Sequence, residues 1–196
     1  VTIFERPVRF GPAIIKMAGI GDVLTVPEYR GKGYSRLLME SAVEYMKNHN
    51  FDLTMLFGIP NYYHKFGYIE AMNYYRLEFF NTREVPDRQQ FVTRQFQTKD
   101  VPAMLYLYHQ NMKHCNLVVN RSIQYMESKI DHPDALIILT DSQDRVAGYA
   151  HTWDTVANKF IVIEAMTENR DASLALLSDI VRRKPSNEQT VTIKMS

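Results

Sequence analysis

Two glycines set among cations, Arg30-Gly31-Lys32-Gly33, stand where an apolar extended run gives way to a helical pattern. This junction constrains the fold more than any other stretch. Gly in a helix interior costs about 1 kcal/mol against Ala, so a pair at a helix start needs a reason. Before it lies AIIKMAGIGDVLTV (13–26), read as one long strand that follows the shorter VRF (8–10) across Gly11-Pro12. Gly19 and Gly21 inside that strand imply a bulge or a close backbone approach. After it, Leu37, Leu38, Ala42, Tyr45 and Met46 fall on a helical stripe over 34–48. FDLTMLFG (51–58) then reads as a mostly buried strand. Strand, helix, strand predicts a right-handed parallel crossover and an α/β fold.

IPNYYHKFGY follows as a short helical or irregular stretch, and NYYRLEFF (73–80) as a strand. The polar NTREVPDRQQ (81–90) breaks the pattern and reads as a linker. A second series then runs through the strand FVTRQF, the helix DVPAMLYLYHQNMKHC with Pro in its first turn, and the helix SIQYMESKI with Ile123, Met126 and Ile130 on one face. The hairpin ALIILT/RVAGYAHTW, the strand KFIVIEAMT, the helix DASLALLSDIVRR and the strand TVTIKMS complete it. The expected division is 1–81, a linker over 82–90, and 91–196. Both halves share a long strand, a helix and a strand.

A length of 196 residues suits one large domain or two small ones, and a net charge of +1 gives no electrostatic case for nucleic acid or a membrane surface as a partner. No apolar run reaches the roughly 20 residues of a membrane span. Cys115 is the single cysteine, so no intramolecular disulfide forms, which fits a reducing compartment and a cytoplasmic setting. The chain opens at Val1 without a signal-peptide pattern and reads as a fragment or a processed product. His109, His114 and Cys115 share one helix but have no partner motif, so no metal site is expected. Trp153 and His151 read as packing residues.

A helix N-terminus carries unpaired N–H groups and the positive end of the macrodipole. A phosphate satisfies both if the backbone can approach it, and Gly31 and Gly33 remove the Cβ atoms in the way. Arg30, Lys32 and Arg36 add charge, so the turn suits a diphosphate. A Walker loop does not fit, since no glycine precedes Gly31 at the required spacing. A dinucleotide fingerprint fails at Arg36, where the third glycine belongs. The plain alternative is a polar turn with solvated cations.

The pattern V-x-P-E-Y-R-G-K-G-Y-S-x-L-L resembles the acyl-CoA signature R/Q-x-x-G-x-G/A of the GCN5-related N-acetyltransferase superfamily, with Arg30, Gly33 and Ser35 at the marked positions. Ser35 stands where Gly or Ala is usual. Gly58 to Tyr68, G-x-P-x-Y-Y-x-x-F-G-Y, is similar to the second part of that fold. The resemblance covers residues 19–70. It implies that acetyl-CoA is the co-substrate and that backbone groups of Val23, Leu24 and Thr25 pair with its pantetheine arm. Arg30, Gly31, Lys32, Gly33, Tyr34, Ser35 and Arg36 would surround the pyrophosphate. Tyr63 matches the general-acid tyrosine, with Tyr62 as the other member of the doublet. A phenol with a reference pKa of about 10 is protonated at neutral pH and can donate to a leaving thiolate. Asp22 and Glu28 are the acids nearest in sequence; neither is assigned as the base.

The second half has the same element order, but Glu164–Ala172 follows its central strand without a glycine, and its acids would repel a phosphate. It reads as a degenerate second domain. Two such mixed sheets flanked by helices, one with a working site, resemble the enhanced intracellular survival acetyltransferases. That family acetylates amines, including aminoglycosides and lysines. The resemblance implies a first strand and helices ahead of the N-terminal domain and a third, sterol-carrier-like domain, none of which lies within these 196 residues. The expected activity is direct acetyl transfer to a primary amine of a small molecule or peptide, with self-association left open. The rival readings are a non-catalytic acyl-CoA-binding or regulatory module and, more distantly, a nucleotide-phosphate enzyme.

Overall fold

The computed structural model describes residues 1–71, 75–79, 90–154, 160–183 and 191–195. Contacts divide the chain into two units. The first comprises Val1–Met72 and Cys115–Asn120, and the second Asn73–His114 and Arg121–Ser196.

In the first unit, β1 (Thr2–Phe10) and β2 (Ala13–Gly21) form an antiparallel hairpin. Gly11 turns it at φ +57°, in the left-handed region that glycine enters without strain. β2 then pairs in parallel with β3 (Leu53–Leu56), and the intervening α1 (Tyr34–Asn48) makes the expected crossover. Ala18 and Ile20 of β2 pack under Met39, Ala42 and Met46 of α1, joined by Leu56, Tyr63, Phe66 and Tyr68.

Three features depart from the sequence reading. β1 is far longer than VRF and begins at Thr2. β2 stops at Gly21 rather than Val26, because Asp22 turns into the left-handed region at φ +53°. The buried face of α1 is Met39, Ala42 and Met46, whereas Leu37, Leu38 and Tyr45 of the expected stripe are exposed. The helix carries apolar residues on two faces, and periodicity alone does not choose between them. The close approach expected at a strand glycine holds at Gly21, where a Cβ would come within 2.8 Å of the Phe4 ring.

The second unit holds a six-stranded sheet. β5 (Phe91–Gln95), β7 (Leu136–Asp141), β8 (Val146–Asp154) and β9 (Phe160–Thr167) pair antiparallel in that order. β10 (Val191–Met195) adds in parallel to β9. The link between them includes α4 (Arg170–Arg183), so the unit repeats the strand–helix–strand crossover of the first. Between β5 and β7 lie α2 (Val101–Met112), the two-residue β6 (Val118–Val119) and α3 (Ile123–Glu127). The sequence pattern gives no sign of β6, which pairs with β1 in the first unit's sheet. α3 ends before Ile130; Met126 is buried and Ile123 exposed.

β4 (Tyr75–Phe79) pairs antiparallel with β10, so contacts assign it to the second sheet. Contact division thus falls at residue 72, ahead of the polar stretch 82–90, most of which lies outside the described residues. Trp153 is 58% exposed rather than packed; it lies near the end of β8, just past a register shift at His151/Thr152.

Asp100 is the buried charge that pins the start of α2. Arg94 grips it with two hydrogen bonds of 2.8 Å, and the Gln97 N–H donates a third at 2.8 Å. Burial opposes ionisation of Asp100, but these donors outweigh it and hold the carboxyl below the usual carboxylate range. Asp100→Ala leaves the Arg94 guanidinium without this partner and is expected to cost about 3–5 kcal/mol in denaturant unfolding. Because the folded-state value is lowered, Asp100's contribution is full above its unfolded pKa, near 4. It is lost as pH falls through the folded value.

Candidate functional site

The site begins where β2 and β3 part. Their ladder ends at Ile20↔Leu56, and Asp22 turns the chain so that the Leu24 N–H donates to the Asp22 carbonyl at 3.0 Å. A single 3-10 turn, Pro27–Tyr29, leads into the glycines. Gly31 and Gly33 sit at φ +76° and +80°, and a Cβ on either would meet nothing within 4 Å. Backbone conformation, not crowding, makes glycine the fitting residue there.

Gly33 is the N-cap of α1, and no side chain caps the helix. Leu37 is the first residue to donate within it, to Gly33 O at 3.1 Å. The N–H groups of Tyr34, Ser35 and Arg36 therefore stand ahead of the ladder at the positive end of a 15-residue helix. The start of α4 is built differently. The Asn169 side chain accepts from the Ala172 N–H at 2.9 Å, and Asp171 lies in the first turn. That end is already capped and carries an acid, so it is the poorer place for an anion.

The cations around the glycines are arranged unequally. Arg30 Nε donates back to the Thr25 carbonyl at 3.2 Å. Lys32 Nζ lies 5.1 Å from the centre of the Tyr29 ring, with the Tyr34 ring 6.1 Å from that of Tyr29. Arg36 pairs with Glu40 one turn along the helix at 2.7 Å. Val23 packs against the first unit's core, while Leu24 is exposed. Two backbone groups of the 23–25 stretch, Leu24 N–H and Thr25 C=O, thus have internal partners.

The second cluster sits on the 3-10 turn Tyr63–Phe66, closed by Gly67 at φ +88°. The doublet divides in two. Tyr62 Oη lies 2.5 Å from Ser35 Oγ, in the first turn of α1. Its ring is met by Lys65 Nζ at 3.9 Å and by the edge of Tyr63, with centroids 4.9 Å apart. Tyr63 packs on the apolar core, and its hydroxyl has no hydrogen-bond partner among the described residues. Burial, reinforced by neighbouring Tyr62, raises its pKa above the ordinary phenol value. A Cβ at Gly58 would collide with the Tyr63 ring, so this glycine makes room for it. Tyr68, behind Tyr63, bonds Thr54 Oγ1 at 2.8 Å.

The structure thus brings Ser35 and the tyrosine doublet together at the start of α1. Sequence reasoning missed the Ser35–Tyr62 contact and the packing roles of Gly58 and Lys65. The departure at Ser35 and the G-x-P spacing were the available signals. In the second unit a polar cluster is bound to itself. Arg121 forks onto Glu164 at 2.8 and 2.6 Å, and Tyr149 Oη donates to the same carboxylate at 2.7 Å. Among the described residues no three metal-ligating side chains converge, and no helix is long and apolar enough to cross a membrane.

The profile of the acetyltransferase (GNAT) domain family matches residues 1–71. No curated protein sequence matches the chain. Among solved structures, a GCN5-related N-acetyltransferase from Anabaena variabilis superposes with a TM-score of 0.75 at 20% identity, over 100% of this chain and 52% of that one. One from Kribbella flavida gives 0.72 at 22% identity, over 99% and 49%. An Eis protein from Mycobacterium abscessus is a weaker match, at 0.56 and 12% identity over 97% and 51%. The chain therefore spans about half the length of the solved structures it resembles. These likenesses carry the mixed α/β fold.

Proposed function

We propose, for a chain whose residues 1–71 match the acetyltransferase (GNAT) domain family, direct transfer of an acetyl group from acetyl-CoA to a primary amine of a small molecule or peptide. The observation that carries this reading is the uncapped glycine N-terminus of α1 beside Tyr63, whose hydroxyl has no hydrogen-bond partner among the described residues. The N–H groups of Tyr34, Ser35 and Arg36 receive the pyrophosphate, with Arg30, Gly31, Lys32 and Gly33 forming the approach. Val23, Leu24 and Thr25 line the pantetheine path.

A neutral amine attacks the thioester carbonyl and forms the C–N bond. The tetrahedral intermediate then expels the thiolate, breaking C–S, and Tyr63 donates its phenolic proton to sulfur. The nitrogen loses one proton to solvent, and Tyr63 regains one. The second unit has a capped helix where the first has an open one, and it serves a structural or acceptor-shaping role. The exposed thiol of Cys115 suits a reducing setting, and the cytoplasm is the compartment proposed.

Calorimetric titration with acetyl-CoA, beside ATP and NAD, tests the reading. Selective acetyl-CoA binding, followed by thiol release with an amine panel, is expected. Binding without thiol release would favour a non-catalytic acyl-CoA-binding module, and no binding would overturn the placement of the pyrophosphate. Gly58→Ala provides an independent check. Its methyl group must displace the Tyr63 ring, and a shift of about 1 Å at a reacting group can cost roughly 100-fold in turnover. Turnover should fall on that scale in steady-state assays while coenzyme affinity changes little.

A further inference from the structure

Ser35 and Tyr62 are separated by α1, β3 and the connecting loops, yet their hydroxyls meet at 2.5 Å. Each end of this contact lies beside a group used above. Ser35 contributes an open N–H to the first turn of α1, and Tyr62 immediately precedes Tyr63. Tyr68, just past the turn, is tied by its hydroxyl to Thr54 Oγ1 at 2.8 Å; the other side-chain contacts of the Tyr63 turn are apolar or cation–π. Tyr63, Phe66 and Tyr68 pack on the core around Met39, and Lys65 covers the Tyr62 ring. Such contacts hold the turn against the helix, but they do not fix its rotation as a hydrogen bond does. The Tyr62 ring meets Tyr63 edge-on at 86°, so movement of one ring reaches the other. A Gly or Ala at position 35 could not make this contact.

We propose that the Ser35–Tyr62 hydroxyl pair is a positioning contact that seats Tyr63 for proton donation, acting through Tyr63 rather than as a coenzyme ligand. The proposal rests on the acetyltransferase reading and adds two side-chain hydroxyls to it. Ser35 keeps its backbone N–H for the pyrophosphate whatever its side chain does. Losing the hydroxyl contact should therefore affect the proton-transfer step and spare coenzyme binding.

Ser35→Ala and Tyr62→Phe each remove the contact with little disturbance. Ala favours the helix, and Phe keeps the ring under Lys65. Each should lower kcat by up to about tenfold, the scale of one net hydrogen bond, with acetyl-CoA affinity within about twofold of wild type. The double variant should be no worse than either single one, because both delete the same interaction. In a Tyr63→Phe background, Ser35→Ala should have no further effect on kcat. A kcat effect that persists there, or unchanged kcat in both single variants, would overturn the proposal.

A titration of carbon-13-labelled tyrosine rings by NMR gives a readout independent of activity. The Tyr63 phenol should titrate lower in Ser35→Ala than in wild type, as its seat loosens; Tyr62→Phe is left out of this readout because it also removes the neighbouring phenol that raises the Tyr63 value. An unchanged Tyr63 titration overturns the positioning contact whether or not transfer is detected. If the wild type binds no acetyl-CoA, the acetyltransferase reading fails instead, and the same titration still decides whether the hydroxyl pair seats Tyr63.

Discussion

Gly33→Asp is expected to abolish acetyl-CoA binding by a chain that remains folded. Gly33 is exposed, and a Cβ there meets nothing within 4 Å, so the substitution disturbs no packing. Its backbone lies at φ +80°, a region Asp tolerates better than most residues. What changes is the end of α1. A carboxylate would cap the free N–H groups as Asn169 caps α4, and would set a negative charge against the incoming pyrophosphate. Two like charges about 4 Å apart near a protein surface repel by up to about 4 kcal/mol, and the lost amide donors add to that. A weakening of at least 100-fold by calorimetry is the expected result, with the thermal midpoint within a few degrees of wild type. Wild-type affinity in a folded variant would move the diphosphate away from this turn.

Tyr63→Phe should separate chemistry from binding. Phe keeps the ring that packs on Gly58 and the core, so only the hydroxyl is removed. A positioned general acid contributes about 10²–10⁴-fold to rate. A fall of at least 100-fold in kcat is therefore expected, with acetyl-CoA affinity almost unchanged. The pH profile adds a sign. The donating form is the neutral phenol, so kcat falls as pH rises through the Tyr63 pKa. Burial, and then Tyr62, raise that value above the ordinary one near 10. The alkaline limb of wild type should thus lie above pH 10, and the variant should lack it. Wild-type turnover in Tyr63→Phe would assign the proton to another donor.

The long helix, its flanking strands and the parallel crossover were legible because each depends on neighbours in the chain. Apolar spacing fixes the helix over 34–48, and right-handed connection fixes how its two strands pair. Gly31 and Gly33 were legible for the same local reason, since backbone sterics reserve φ values of +76° and +80° for residues without a Cβ. The second helical turn, Glu168 to Ala172, could be read as unsuited to phosphate from its acids alone. Its Asn169 cap adds a further reason visible only in the fold.

Other features required the chain to meet itself. Met39, Ala42 and Met46 face the sheet instead of Leu37, Leu38 and Tyr45 because Ala18 and Ile20 lie on that side, and a helix with two apolar faces does not record which one is covered. β4 pairs with β10 more than a hundred residues later, and β6, only two residues long, takes its strand conformation from pairing with β1. The tyrosine doublet could not be divided from its own sequence. The 2.5 Å contact engages Tyr62 with Ser35, and among the described residues no such partner engages Tyr63. Sequence by itself determined the order of the longer elements and the glycine turn, because periodicity and backbone sterics act between adjacent residues. Tertiary structure alone decided which faces, strands and hydroxyls meet, because those contacts join residues whose separation along the chain carries no local signal.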